Sequence, residues 1–152
     1  MVELLSLSIG LGLAVSLLFV ELFGVAVGGM VVPGYVALYM DQPLVVAVTL
    51  GVGFLTYAVV QTLSSVVIIY GRRRTVLMII LGYIFVMALA MVTRSVTDLA
   101  HFEVLTIGYI IPGLLAIWMD RQGVVVTVCS LLIAAVVVRL LLILTLGTEL
   151  EI

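Results

Sequence analysis

Charged residues are scarce in this chain, and the few set in or beside apolar runs are where any chemistry would have to occur. Asp41 and the cluster Asp120-Arg121-Gln122 each follow directly on a segment that contains a Pro-Gly pair, Pro33-Gly34 in the first case and Pro112-Gly113 in the second. Glu21 and Arg139 lie at the edge of, or inside, apolar runs. A charge at the centre of a membrane helix costs ~2.5–3.5 kcal/mol on insertion scales, so each calls for a partner or for water. The chemistry these types offer is anion handling. Arginine presents a planar fork of donors that matches carboxylate and phosphate, which marks Arg72, Arg73, Arg74, Arg121 and Arg139, with Gln122, as contacts for a polyanion or a partner. Glu21, Asp41 and Asp120 are the acidic residues for which burial is expected. The plainer readings are solvated loop charges at Asp41 and Asp120, and for Arg139 a side chain that snorkels towards residues 146–147.

Other chemistries are excluded or unsupported. All six basic residues are arginine, so the lysine on which a Walker-type phosphate loop depends is missing. The sequence has no Gly-x-Ser-x-Gly, no His-Glu-x-x-His and no close grouping of histidine with carboxylates. His101 has no second histidine or cysteine nearby, and Cys129 is the sole cysteine, which leaves no intrachain disulfide and no cysteine-rich metal site. No catalytic residue, metal or cofactor is expected, and no nucleic-acid partner.

The elements that would position these residues are membrane helices. Sixty-six per cent of the residues are hydrophobic and 9% charged, too apolar for any soluble fold to hide. Apolar runs cover residues 4–23, 44–70, 75–92 and 124–146, and ~20 residues span the hydrocarbon core as a helix. Met1-Val2-Glu3 carries no basic n-region, so the first run reads as a permanent span. Tyr57, Gln61, Ser64 and Ser65 add a mildly polar stripe to the second span, of the kind that hydrogen-bonds between helices. Residues 24–40 and 105–119 are apolar but hold proline and several glycines, and read as broken or re-entrant pieces. They align without a gap at a shift of 79 (108 minus 29), with Gly29 to Asp41 lying over Gly108 to Asp120, and six of the thirteen positions are identical.

The expected fold is therefore an all-α integral membrane protein, residues 1–152 forming one membrane domain. Two repeat units of span, Pro-Gly-broken segment and span cover 4–70 and 75–146, joined by the basic loop 71–74. Three adjacent arginines place that loop in the cytoplasm. The acidic termini, with Glu3 at one end and Glu149 and Glu151 at the other, favour inverted repeats with both termini outside. Each Pro-Gly then has two readings, unwound backbone lining a polar path or a kink that lets helices approach closely.

The motifs just named, together with Asp-Gln-Pro (41 to 43), Leu-Thr-Tyr (55 to 57), Tyr-Gly-Arg-Arg (70 to 73) and Arg-Gln-Gly-Val (121 to 124), resemble the small membrane subunit of bacterial poly-γ-glutamate (capsule) synthases, the CapC/PgsC family. The resemblance runs through nearly the whole chain in the same order. One departure is visible: the family often has a basic residue after the first-span glutamate, whereas Glu21 is followed by Leu22-Phe23-Gly24, which argues against an anion site at that corner. The resemblance implies a synthase and export complex in the bacterial cytoplasmic membrane, in which a separate ATP-dependent ligase subunit makes the polymer beside this subunit and other membrane subunits of the capsule complex. Three roles follow. The chain could anchor and activate the ligase through Arg72, Arg73 and Arg74, which would dock to the partner or to anionic membrane lipid. It could form the polymer conduit at the duplicated breaks, as a single subunit or a small homo-oligomeric ring. Independently of the family, it could be a small-solute transporter or channel with inverted repeats.

Overall fold

A computed structural model describes residues 2–68, 71–96 and 107–147, and among these every regular element is helical. The order is α1 (Val2–Phe23), α2 (Val32–Leu38), α3 (Pro43–Val66), α4 (Arg72–Val96), α5 (Ile111–Gln122) and α6 (Val124–Leu146), with a 3₁₀ turn at Tyr39–Asp41 closing α2. Four of these, α1, α3, α4 and α6, are long and apolar enough to cross a membrane. Their outward faces carry large apolar side chains such as Leu18, Phe54, Ile84 and Leu140, a surface that suits lipid.

Two boundaries differ from the hydropathy reading. The second span stops at Val66 because Val67 is extended, its N–H closing the last turn on the Leu63 carbonyl. The third begins at Arg72, after a left-handed Gly71, so the three arginines form the first turn of α4 rather than a loop. The Pro-Gly pairs differ too. They open helices instead of interrupting them: Pro33 and Pro112 are each the second residue of a short helix. In a first turn the missing N–H would have had no helical acceptor, and the fixed φ is already helical. The hydrogen bond expected to be lost inside a helix is therefore not lost.

Irregular backbone instead precedes each short helix. Gly24 ends α1 in the left-handed conformation, its N–H bonded to the Val20 carbonyl, and the chain runs without regular structure to Val31. Such backbone is tolerated at membrane depth only where protein or a wet cavity satisfies its polar groups. Here side chains do so. The Ala26 N–H donates to Gln122 Oε1 at 3.1 Å and the Gln122 amide donates back to the Ala26 carbonyl. Ser130 Oγ reaches the same carbonyl at 3.4 Å, and Ser16 Oγ donates to the Gly29 carbonyl, also at 3.4 Å. Ahead of α5, the Ile107 N–H donates to Thr49 Oγ1 at 3.0 Å. Ser8, Ser16, Thr49, Thr127 and Ser130 are all buried in otherwise apolar helices.

The two short helices sit at the centre. Seven of the twelve residues of α5 are buried, on all sides of the helix, between α3, α4 and α6. On the long helices the buried positions form stripes: Val46, Thr49, Gly53, Thr56 and Val60 on α3, and Thr127, Leu131, Ala134, Val138 and Leu142 on α6. These 3- and 4-residue steps are those of one helix face.

Glycine sets the distance between each short helix and its neighbour. A Cβ on Gly34 would lie 2.7 Å from the Ser8 carbonyl oxygen, and one on Gly12 would lie 2.7 Å from Gly34 N. The second half repeats the contact, with a Gly113 Cβ 2.9 Å from Ile79 Cα and a Gly82 Cβ 2.7 Å from Gly113 N. So α1 meets α2, and α4 meets α5, backbone against backbone. Ser8 then donates to the Gly34 carbonyl at 2.7 Å. Each short helix also packs on the last long helix of the other half, α2 on α6 and α5 on α3.

These contacts predict a split among glycines of equal helix propensity. Gly34→Ala and Gly113→Ala meet backbone that cannot move aside, and should each destabilise the protein by ~1–3 kcal/mol or more. At Gly10 and Gly51 an added Cβ would meet nothing within 4 Å, and their alanine variants should gain ~0.5–1 kcal/mol. Denaturant unfolding in detergent micelles reads the difference; equal effects in the two groups would contradict the joint.

Candidate functional site

The ends of the two short helices bring the charged residues together. Asp41, in the 3₁₀ turn after α2, accepts at both carboxylate oxygens from Arg139 of α6: Nη2 lies 2.6 Å from Oδ1 and 2.7 Å from Oδ2. Arg139 Nη1 also donates to the Ala37 carbonyl at 3.1 Å, within the last turn of α2. The intramembrane arginine therefore reaches across to a carboxylate and a helix C-terminal carbonyl rather than snorkelling along its own helix. A cation at a helix C-terminus is also favoured by the helix dipole.

Asp120, the residue related to Asp41 by the 79-position shift, is paired with Arg74 of α4. The same guanidinium bonds Gln61 Oε1 and reaches Ser64 Oγ at 3.5 Å, so the polar stripe of α3 serves as an interhelical bracket. One arginine thus ties α3, α4 and α5 together at one end. Its Nε is buried without an acceptor among the described residues.

Beside this bracket lies a cleft of about 370 Å³ lined by Arg72, Arg74, Thr75, Asp120 and Arg121, with Met78 and Ile117 as an apolar floor. Arg72 and Arg73 are exposed and make no ion pair among the described residues. Arg121 is exposed as well, and its guanidinium stands 5.5 Å from the centroid of the Trp118 ring, a cation–π distance.

The remaining residues singled out from sequence fall elsewhere. Glu21 and Asp41 are exposed and Asp120 is half-buried within the chain. Pro33, Gly34, Pro112 and Gly113 are all buried in the helix joints. Gln122 is engaged internally, its amide on Ala26 and on Thr127 Oγ1 at 3.1 Å. Sequence reasoning misses that bracket, because nothing in a Gln at a helix end reveals a backbone partner 96 residues away. His101, Arg94, Asp98, Glu103 and the terminal Glu3, Glu149 and Glu151 lie outside the residues whose side chains are described. No group of three or more metal-ligating side chains occurs among the described residues.

Comparison with known proteins gives one consistent result. A family model described as capsule biosynthesis CapC matches residues 11–128, a stretch that contains both glycine joints, the arginine triplet and the Asp120-Arg121-Gln122 cluster. The chain is similar to the PGA biosynthesis protein CapC of Bacillus subtilis (strain 168), 38% identical over 125 residues that cover 81% of this chain and 83% of that protein. It is also similar to the capsule biosynthesis protein CapC of Bacillus anthracis, again 38% identical over 125 residues, covering 82% and 83%. No solved structure matches.

The two arginine clamps should differ in strength. Asp41 is 51% exposed on its side chain and Asp120 only 23%. A double-mutant cycle of Asp41→Asn with Arg139→Gln should give a coupling of about 1 kcal/mol or less. Arg74→Gln should cost roughly 2 kcal/mol because it strands a half-buried carboxylate. Unfolding in micelles measures both, and an Arg74 variant as stable as the wild type would contradict the bracket.

Proposed function

The chain belongs to the capsule biosynthesis CapC family, and from that premise we propose that it is a non-catalytic, multi-pass subunit of a poly-γ-glutamate synthase and export complex in the cytoplasmic membrane. Its role is to hold the ATP-dependent amide ligase subunit at the inner face and keep it active there. The observation that carries this reading is the presentation of Arg72 and Arg73, exposed and without carboxylate partners among the described residues, at the same end of the bundle as Arg121. Charge of one sign held on a packed scaffold suits the steering and docking of an acidic partner surface. Family membership favours this reading over an independent solute transporter.

The two halves are proposed to be inverted repeats, with the arginine end in the cytoplasm and both termini outside. Support comes from the matched joints, Gly12 with Gly34 and Gly82 with Gly113, and from chain direction. Gly34 lies beside Ser8 and Gly29 beside Ser16, so the segment after α1 runs back along it. Likewise Gly113 lies beside Gly82 and Asp120 beside Arg74, so α5 runs back along α4. The Pro-Gly positions are proposed to be packing joints rather than the lining of a polymer path, a reading supported by their burial and by the absence of space for a Cβ. A conduit, if the complex has one, would then be formed between subunits.

Replacing Arg72 and Arg73 by Gln while keeping Arg74 tests the docking role without breaking the bracket. Co-purification of ligase activity with the membrane subunit from detergent extracts should fall at least ~tenfold, the effect of about 1.4 kcal/mol of lost binding. Orientation in the membrane is checked in parallel by labelling a cysteine placed at Gly147. Undiminished co-purification in a correctly oriented variant would refute the role.

A further inference from the structure

The cleft beside Arg74 has a composition that the docking role does not require. Three of its lining residues are arginine and one is aspartate, so its walls carry a net charge of +2 (three minus one). The single carboxylate is already taken by Arg74. That leaves Arg72 and Arg121, both among the lining residues, with no acidic partner among the described residues. The Arg74 Nε–H is buried and has no acceptor among the described residues.

The remainder of the lining narrows the choice of anion. Thr75 adds a hydroxyl, whereas Met78 and Ile117 make the floor apolar and are almost fully buried. Polar and apolar side chains thus share the lining, and the cleft lies at the Arg72 end of a helix whose apolar stretch begins at that residue. The end of an apolar span falls in the headgroup region, where anionic lipid attracts basic residues. Trp118, half-buried at the same level, suits that interface. Its ring also stacks against Arg121 and fixes where that guanidinium stands.

We infer that this cleft binds one phosphate oxyanion, that of an anionic phospholipid headgroup, with Arg72 and Arg121 as its two guanidinium ligands. Arg73, one position along the helix, does not line the cleft. A diffuse basic patch would treat the three exposed arginines alike; a built site does not. The inference concerns lipid chemistry, shares Arg72 with the ligase-docking reading, and is read out by lipid retention with no ligase present.

Native mass spectrometry of the full chain in mild detergent tests it, with phosphatidylglycerol, diacylglycerol and inorganic phosphate as separate probes. The wild type should retain phosphatidylglycerol over diacylglycerol. The double variant Arg72→Gln, Arg121→Gln should lose that retention about tenfold, as expected for two charge-assisted contacts, while Arg73→Gln leaves it unchanged. Thermal unfolding of each variant confirms that it is folded, and Arg72→Lys, Arg121→Lys serves as the charge-conserving replacement if the glutamine pair is not. Adducts of inorganic phosphate that depend on Arg72 and Arg121, without phosphatidylglycerol retention, would keep the oxyanion site but reassign its source to free phosphate. Retention equal for diacylglycerol, unaffected by the double variant, or reduced as much by Arg73→Gln would overturn the inference.

Discussion

Hydrocarbon offers no hydrogen bonds, and in this protein that constraint dictates where nearly every buried polar side chain stands. Two segments leave helical geometry, ahead of Pro33 and ahead of Pro112, and each brings peptide groups that no helix satisfies. Gln122 closes on both backbone groups of Ala26, Ser16 takes the Gly29 carbonyl, and Thr49 accepts from Ile107. Ser16, Thr49 and Ser130 are thus complements to irregular backbone elsewhere in the chain, whereas Thr56 closes on a carbonyl of its own helix. Without them the breaks would have to fill with water or refold as helix.

The same partners interlock the two halves. Gln122 belongs to the second short helix and holds the segment that follows α1, while Thr49 belongs to α3 and holds the segment that precedes α5. The arginine clamps also cross between repeats at Asp41 with Arg139, and again link α5 to α3 through Arg74 and Gln61. Close helix approach at Gly12–Gly34 and Gly82–Gly113 makes these reaches short. Packing and polar satisfaction therefore favour a single arrangement. It also leaves one end of the bundle with exposed arginines, the feature on which its proposed work in capsule synthesis depends.

Much of this is legible in the residues. Apolar run length gives the four long helices, and the shared Gly, Pro-Gly and Met-Asp of the two broken segments mark positions that the structure uses twice. The ends of elements are less legible. Hydropathy does not distinguish Val66 from Ile68, so it misplaces the end of α3, and arginines that read as a loop prove to start a helix. Pro-Gly is also misleading locally, since a proline in an apolar run looks like a kink until the residues before it are known to be non-helical. Pairings such as Arg139 with Asp41 and Gln122 with Ala26 span 98 and 96 positions, and no local pattern encodes them. For Arg139 the sequence announces only that some partner is required.

Whether the non-helical segments are sealed by protein decides between a packed joint and a water-filled break. Residue-resolved hydrogen exchange of the chain in lipid nanodiscs addresses this at two amides, Ala26 and Ile107. Sealed by Gln122 and Thr49, both should exchange as slowly as the amides of the neighbouring helices, and Gln122→Ala should release Ala26 while leaving Ile107 protected. Rapid exchange at both amides in the wild type would mean that water fills the breaks, and the segments would then be a path through the membrane instead of its packed joints.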